Sequence, residues 1–571
     1  MIAYPLYPMR HVQCLDGLWD FQFLGDCVDL DAIEVGGIRF SDRISVPSAF
    51  DAMPAYAGKR GTVAYRTFVA STPGKRGLLR FHGLGMWCRV YSDGKPLYQG
   101  AFPYSGFSVE LPATAGDRRE IVVLIDNRFD FKRVPLQEQF FDFYAYGGIF
   151  RSVESMDVPG TYVDRVRVTV EDLAEGRVNL RAFLAGSPWQ GDSLLVGFDG
   201  APAEALRFRR MNDGSFLASL KSADRTPWTP ENPRLHTVRV SLPGPHGSAV
   251  DTVEERFGLR TLKAQKGRVL LNGEPVKLLG YCRHEASMQY GPALPLAQLV
   301  QDMQYLKDLG CNFVRGSHYP QDPRWLDLCD ECGLLVFEES MGWGQRERHF
   351  LDAEFHRQQV EQTRRMVHNS YNHPSVILWG FLNEGQSNHP GSRALYQELA
   401  ETIRREDSSR LVTYATMFPF DDICLDLVDL ISVNQYPGWY AQDREAVRPL
   451  GEISPLLDRL TASFRERGLA DKPVIVSEMG AGAIYGWRDA LSAHWTEDYQ
   501  SDYLAEACSQ IVKRPEYAGI SIWQFCDCRT YASSYALGRP RGINDKGTLD
   551  EYRRPKMAYR TVRSIFRRST P

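Results

Sequence analysis

Between residues 276 and 525 the chain alternates eight short apolar runs with stretches of helical character, and this alternation constrains the fold more than any other feature. The runs are VKLLGY, NFVRGSH, LLVFEES, VILWGFLNE, RLVTYAT, LISVNQY, PVIVSEM and GISIWQF. Continuous apolar runs of this length suit strands covered on both faces. Between them lie helix candidates such as LAQLVQDMQYLKDLG, PRWLDLCDECG, HRQQVEQTRRMVHNS and LAEACSQIVKR, several followed by the glycine expected at a helix C-terminus. Eight such strands over about 300 residues close most naturally into a (β/α)₈ barrel. The barrel is placed at residues 262–571, and the final helical stretch, PKMAYRTVRSIFRR, covers its last edge.

The preceding part reads differently. Short runs such as RISVPSAF, TVAYRTFVA, GLLRFHGL, CRVYSDG and REIVVLIDN are broken by Gly, Pro and Asp, which predicts an antiparallel jelly-roll sandwich over residues 1–160. YVDRVRVTVED, VNLRAFLAG, SLLVGFDG, FLASLKS and HTVRVSLPG predict a second, immunoglobulin-like sandwich over 161–261. The loop TPWTPENPRL, with three prolines, is excluded from a central strand. The fold class is therefore multi-domain β plus α/β. A total of 571 residues suits about three domains at the usual ~100–200 residues each.

Composition excludes several functions. A formal net charge of −4 creates no field that attracts nucleic acid or an anionic membrane. No run approaches the ~18 apolar residues of a membrane span, and MIAYPLYPMRHVQCLDGLWDF does not read as a signal peptide. The eleven cysteines lack paired metal-type spacing, so free thiols in a reducing cytoplasm are expected, with no metal site.

Barrel sites form at the C-terminal ends of the strands. Those ends carry Arg283, His284 and Glu285; Arg315 and His318; Glu338 and Glu339; Asn383 and Glu384; Asn434 and Tyr436; Glu478; and Trp523, Gln524 and Asp527. Carboxylates, amides and aromatics without a phosphate or metal motif suit a carbohydrate, whose faces stack on rings while its hydroxyls bind amides and carboxylates. The glutamates after strands four and seven face each other across an eight-stranded barrel. They are therefore expected to approach the ~5–5.5 Å separation of a retaining glycosidase's nucleophile and acid/base.

The segments LLGYCRHEAS, GCNFVRGSHYPQDPRWLDLCDECGLLVFEES, HPSVILWGFLNEG and PVIVSEMG resemble glycoside hydrolase family 2, as do LDGLWDF and FFDFYAYGGIFRSV further upstream. The resemblance spans nearly the whole chain. It implies Glu384, after Asn383, as acid/base and Glu478 as nucleophile. RGINDKGTLDEYRRPK resembles the β-glucuronidase branch, where an Asn-x-Lys motif binds a uronic acid carboxylate; Asn544 and Lys546 match it. The same branch implies substrate contacts from Asp142, Tyr436 and Tyr440, and from an arginine just upstream of the motif, Arg541 or Arg539; the strand-end residues His318, Asn383, Asn434 and Trp523 are further candidate contacts. An ammonium and an amide make charge-assisted hydrogen bonds to a carboxylate. Tyr436 is expected to hydrogen-bond Glu478, and Glu339 to orient a base or an arginine.

The chain departs from the common pattern at Gly385, at Met479 and in the basic stretch MGWGQRERHF, where Arg346 is a candidate sugar contact. The resemblance thus implies a retaining β-glucuronidase. A β-galacturonidase or dual-specificity enzyme stands as the alternative, a β-galactosidase follows, and a non-catalytic carbohydrate-binding protein ranks last. No organic cofactor is implied. Relatives of this kind imply a homo-oligomer.

Overall fold

The eight apolar runs pair as parallel neighbours. In the computed structural model, which describes residues 3–26, 28–136, 142–440, 449–531 and 539–569, they form strands β1 (Leu278–Arg283), β2 (Phe313–Gly316), β3 (Leu335–Glu339), β4 (Val376–Gly380), β5 (Leu411–Thr413 continued by Ala415–Thr416), β6 (Ile431–Asn434), β7 (Val474–Met479) and β8 (Tyr517–Ile522). One piece of β5 pairs with β4 and the other with β6, so the sheet closes on itself through Tyr414. The strands are buried throughout, as their unbroken apolar character requires.

Helices α1 (Leu296–Leu309), α2 (Pro323–Cys332), α3 (Glu347–Phe350), α4 (Ala353–Ser370), α5 (Arg393–Glu406), α6 (Ile453–Glu466), α7 (Glu497–Lys513) and α8 (Met557–Ser569) lie on the outside. Glycines in the left-handed region end α1 and α2: Gly310 (φ 83°) and Gly333 (φ 68°). A small antiparallel sheet, Leu262–Gln265, Arg268–Leu271 and Glu274–Pro275, plugs the barrel floor. Its Val269 and Leu271 pack on Leu278, Phe313 and Leu335 at the strand beginnings.

Ahead of the barrel stand two antiparallel sandwiches. The first joins a six-stranded sheet to a four-stranded one that ends with Val153–Val158. The second joins two four-stranded sheets between Thr161 and Phe257. The proline-rich stretch 226–235 is irregular, as three prolines demand. The first sandwich docks beside the barrel mouth. Tyr104 stacks on Tyr319 at 3.8 Å between centroids, and the buried Arg151 donates to Glu285 (2.7 Å) and to the Pro320 carbonyl (2.7 Å).

Among the described residues no helix is long and apolar enough to cross a membrane. The ten cysteines among them are free, and Cys27 lies outside the described residues.

Candidate active site

A cavity of about 410 Å³ opens at the C-terminal ends of the barrel strands, with Glu384, Glu478, His318, Tyr436 and Trp523 in its wall. The two glutamates belong to one hydrogen-bonded network. Arg315, fully buried on β2, donates to Glu478 Oε1 (2.7 Å), to Glu339 Oε1 (2.6 Å) and to Asn383 Oδ1 (2.8 Å). Asn434 Nδ2 donates to Asn383 Oδ1 (3.0 Å) and to Glu384 Oε1 (2.9 Å). Tyr436 donates its hydroxyl proton to Glu478 Oε2 (2.7 Å). Both oxygens of Glu478 are thereby held, while Asn383 keeps a buried amide nitrogen without a partner among the described residues.

The two carboxyl groups differ in surroundings. Removal from water, then the nearby Glu478 charge, push Glu384 up to about 8, whereas Glu478 faces a guanidinium. Glu384 also sits in the left-handed region (φ 54°), two residues after Leu382 (φ 46°). Side chains with a Cβ adopt that conformation at a cost, and such strain concentrates at functional sites. It is held by Asn383 N donating to the Gly342 carbonyl (2.9 Å) and Glu384 N to that of Ala415 (2.9 Å).

His318 stacks on Trp523 at 5.2 Å, and its Nδ1 lies 2.9 Å from Glu339 Oε2. Burial, then the Arg315 charge, lower its pKa to about 3, so the ring is neutral and Nδ1 donates to Glu339. Glu339 thus orients both an arginine and a histidine. By contrast, Arg283 pairs with Asp302 (3.0 Å) and His284 with the Tyr319 hydroxyl (3.2 Å), bracing the mouth from outside the cavity.

A second cluster joins three separate parts of the chain. Asp142, from the first sandwich, accepts from Arg539 Nε (2.6 Å) and Nη2 (2.5 Å) and from Asn544 Nδ2 (2.8 Å). Lys546 is buried; its Nζ donates to the Tyr440 hydroxyl (2.8 Å) and lies over the rings of Tyr440, Trp439 and Tyr436 at 5.0–5.8 Å. Among the described residues no carboxylate lies within ion-pair distance of it. Burial, then Arg539, hold its pKa well below the ordinary lysine value.

Two sequence expectations are corrected. Arg541 is not at the cavity. Its left-handed backbone (φ 59°) in the Pro540–Gly542 turn points it outward, where it is half exposed and paired with Asp545 (2.7 Å) and Glu551 (3.1 Å). The buried Arg539 takes the position beside Asp142. Arg346 is also elsewhere: it is exposed at the start of α3, beyond the turn at Gly344 (φ 67°), and the residue of that loop lining the cavity is Trp343.

Arg315 carries more of the site than sequence reasoning assigned to it. The available signal was a charged residue inside the apolar run NFVRGSH. Trp343 and Met417, in loops without periodic pattern, left no signal. A further carboxylate–histidine group, Asp327, Asp330 and His373, lies away from the cavity, its charges matched by Arg256 (2.6 Å to Asp327) and by His373 itself (2.6 Å to Asp330).

Known proteins match the chain over nearly its whole length. The family model for glycosyl hydrolases family 2, TIM barrel domain, matches residues 262–569, and a second model of the family matches 161–260. The chain belongs to this family and is a glycosidase. More particularly, it is 28% identical to a β-glucuronidase of Rattus norvegicus over 98% of this chain and 91% of that one. It is 26% identical to a Streptococcus agalactiae β-glucuronidase over 96% of each. Among solved structures it matches a β-galacturonidase from Eisenbergiella tayi bound to galacturonate, with 30% identity, a TM-score of 0.88, and 100% and 99% of the two chains covered.

Proposed function

We propose that the protein hydrolyses terminal β-D-glucuronides with retention of configuration. The observation that carries this reading is Lys546: a buried amine ringed by three aromatic side chains, beside Asn544 and Arg539, with no carboxylate within ion-pair distance among the described residues. A neutral hydroxymethyl group can accept a hydrogen bond there but brings no charge, whereas a uronic acid carboxylate supplies the anion that favours the protonated lysine.

In this mechanism Glu384 enters protonated, as its raised pKa favours at neutral pH. It gives its proton to the glycosidic oxygen while a Glu478 oxygen attacks the anomeric carbon, forming an ester to the sugar and releasing the alcohol. Glu384, now a carboxylate, takes a proton from water, whose oxygen displaces Glu478; two inversions retain the β configuration. Arg315 and Tyr436 orient the nucleophile, and the free amide nitrogen of Asn383 suits a sugar hydroxyl.

A second reading, hydrolysis of β-galacturonides, is favoured by the likeness to the Eisenbergiella tayi enzyme. Parallel assays on nitrophenyl glucuronide, galacturonide and galactoside separate the readings. The glucuronide is expected to react fastest, a galacturonide rate equal to or above it would favour the second reading, and activity on the galactoside alone would refute both.

A further inference from the structure

The chain buries a second lysine that the mechanism above does not use. Lys556 stands one residue ahead of α8, and its side chain is fully buried. An ammonium has three protons to donate, and each finds an acceptor here. They are the Ala483 carbonyl (2.6 Å), the Asp545 carbonyl (3.0 Å) and the carboxylate of Asp527 (2.8 Å). Three separate stretches thus meet on one nitrogen: the loop after β7, the turn that carries Asn544 and Lys546, and the segment after β8.

The Asp545 carbonyl belongs to the peptide group that leads into Lys546, so Lys556 grips the backbone from which the Lys546 side chain springs. The next peptide group is held too, since the Lys546 carbonyl accepts from Gln524 N (3.0 Å). Asp527, one of the strand-end polar residues, accepts from Gly547 N (2.8 Å) as well as from Lys556. Gly547 fits closely against the same segment: a Cβ there would lie 2.3 Å from Asp527 N and 2.3 Å from the Leu549 carbonyl oxygen. Lys556 and Asp527 match one another in charge, so the pair brings geometry to the turn rather than net charge to the sugar.

We infer that Lys556 is a positioning residue for carboxylate recognition, fixing with Asp527 the turn that aims Asn544 and Lys546. The inference rests on the hexuronide reading above, which gives Lys546 a substrate carboxylate to meet. A charged hydrogen bond needs its donor in place, and a displacement of about 1 Å is enough to weaken it severely.

The test is Lys556→Met, which keeps the stem and removes the ammonium. KM for a nitrophenyl hexuronide and Ki for the free hexuronate are expected to rise about tenfold, the low end of what losing a supporting partner behind an ion ligand costs, while kcat changes less than about threefold. In a Lys546→Met background the same substitution should move KM and Ki by less than about twofold, because the group through which Lys556 acts is gone. Unchanged KM and Ki with a lower kcat, or effects that add in full to those of Lys546→Met, would make Lys556 a general brace of the barrel and overturn the inference. Should Lys556→Met fail to fold, Lys556→Gln, which retains two donors for the carbonyls, is compared in the same way. A nitrophenyl galactoside is run alongside. If the wild type hydrolyses only that substrate, the hexuronide reading fails, and amide exchange at Gly547 still decides whether Lys556 fixes the turn: faster exchange in the variant supports it, and unchanged exchange overturns it.

Discussion

Glu384 is set apart from Glu478 by its surroundings rather than by its own chemistry. Its pKa of about 8 gives the pH–rate profile an expected alkaline limb: kcat/KM should fall above about pH 8 as the acid loses its proton. A limb near pH 5 would contradict the assignment. The same shift bears on stability. The folded state holds a proton that the unfolded chain releases from about pH 4.5, so this group's contribution is full below that value and declines as pH rises towards 8. Glu384→Gln should therefore lose less stability than wild type between pH 5 and 8, by at most ~1.4 kcal/mol per pH unit, as read from denaturant melts. Glu478→Gln should abolish turnover with the fold intact, and residual activity within about tenfold of wild type would sink its role as nucleophile. Lys546→Met should cost ~10–100-fold in kcat/KM on a hexuronide, the scale of one charged hydrogen bond, and much less on a galactoside. Because burial depresses Lys546, a hexuronate carboxylate bound beside it should raise its pKa, so binding at alkaline pH should draw in a proton. Calorimetry of Glu384→Gln in buffers of different ionisation enthalpy would show it, and no uptake would mean that the carboxylate lies elsewhere.

Elements differ in how much of them could be read in advance. Strands β1 to β8 were legible because a parallel strand buried on both faces must be apolar along its whole length. The short turns were not. Arg539 and Arg541 flank the same proline, and the left-handed backbone at Arg541 goes with the outward course of its side chain while Arg539 reaches Asp142. Arg346 illustrates the same limit: its charge suggested a ligand contact, but the turn at Gly344 and the start of α3 leave it in solvent. The plug beneath the barrel has its own test. Val269 is fully buried among the strand beginnings, so Val269→Asp should destabilise the protein by several kcal/mol through a buried, unpaired charge. Little change in the thermal midpoint would show that the plug is dispensable.

At the scale of the whole molecule, the site is completed from outside the barrel. Asp142 comes from the first sandwich and holds Arg539 and Asn544 in place. A barrel expressed alone, residues 262–571, should therefore lack hexuronide turnover even where it folds. Arg151→Ala, which leaves Glu285 buried without its partner, should destabilise the docked assembly by ~3–5 kcal/mol. Undiminished activity of the isolated barrel would show Asp142 to be incidental. The sequence by itself determined the barrel, the two sandwiches and the positions of Glu384 and Glu478, because burial pattern and strand-end placement are local properties of the chain. Only the tertiary structure decided how Arg315 joins those glutamates, which arginine meets Asp142, and which loops flank the acid. Those are contacts between residues tens to hundreds of positions apart, set by turn geometry and domain docking, and no periodicity along the chain records them.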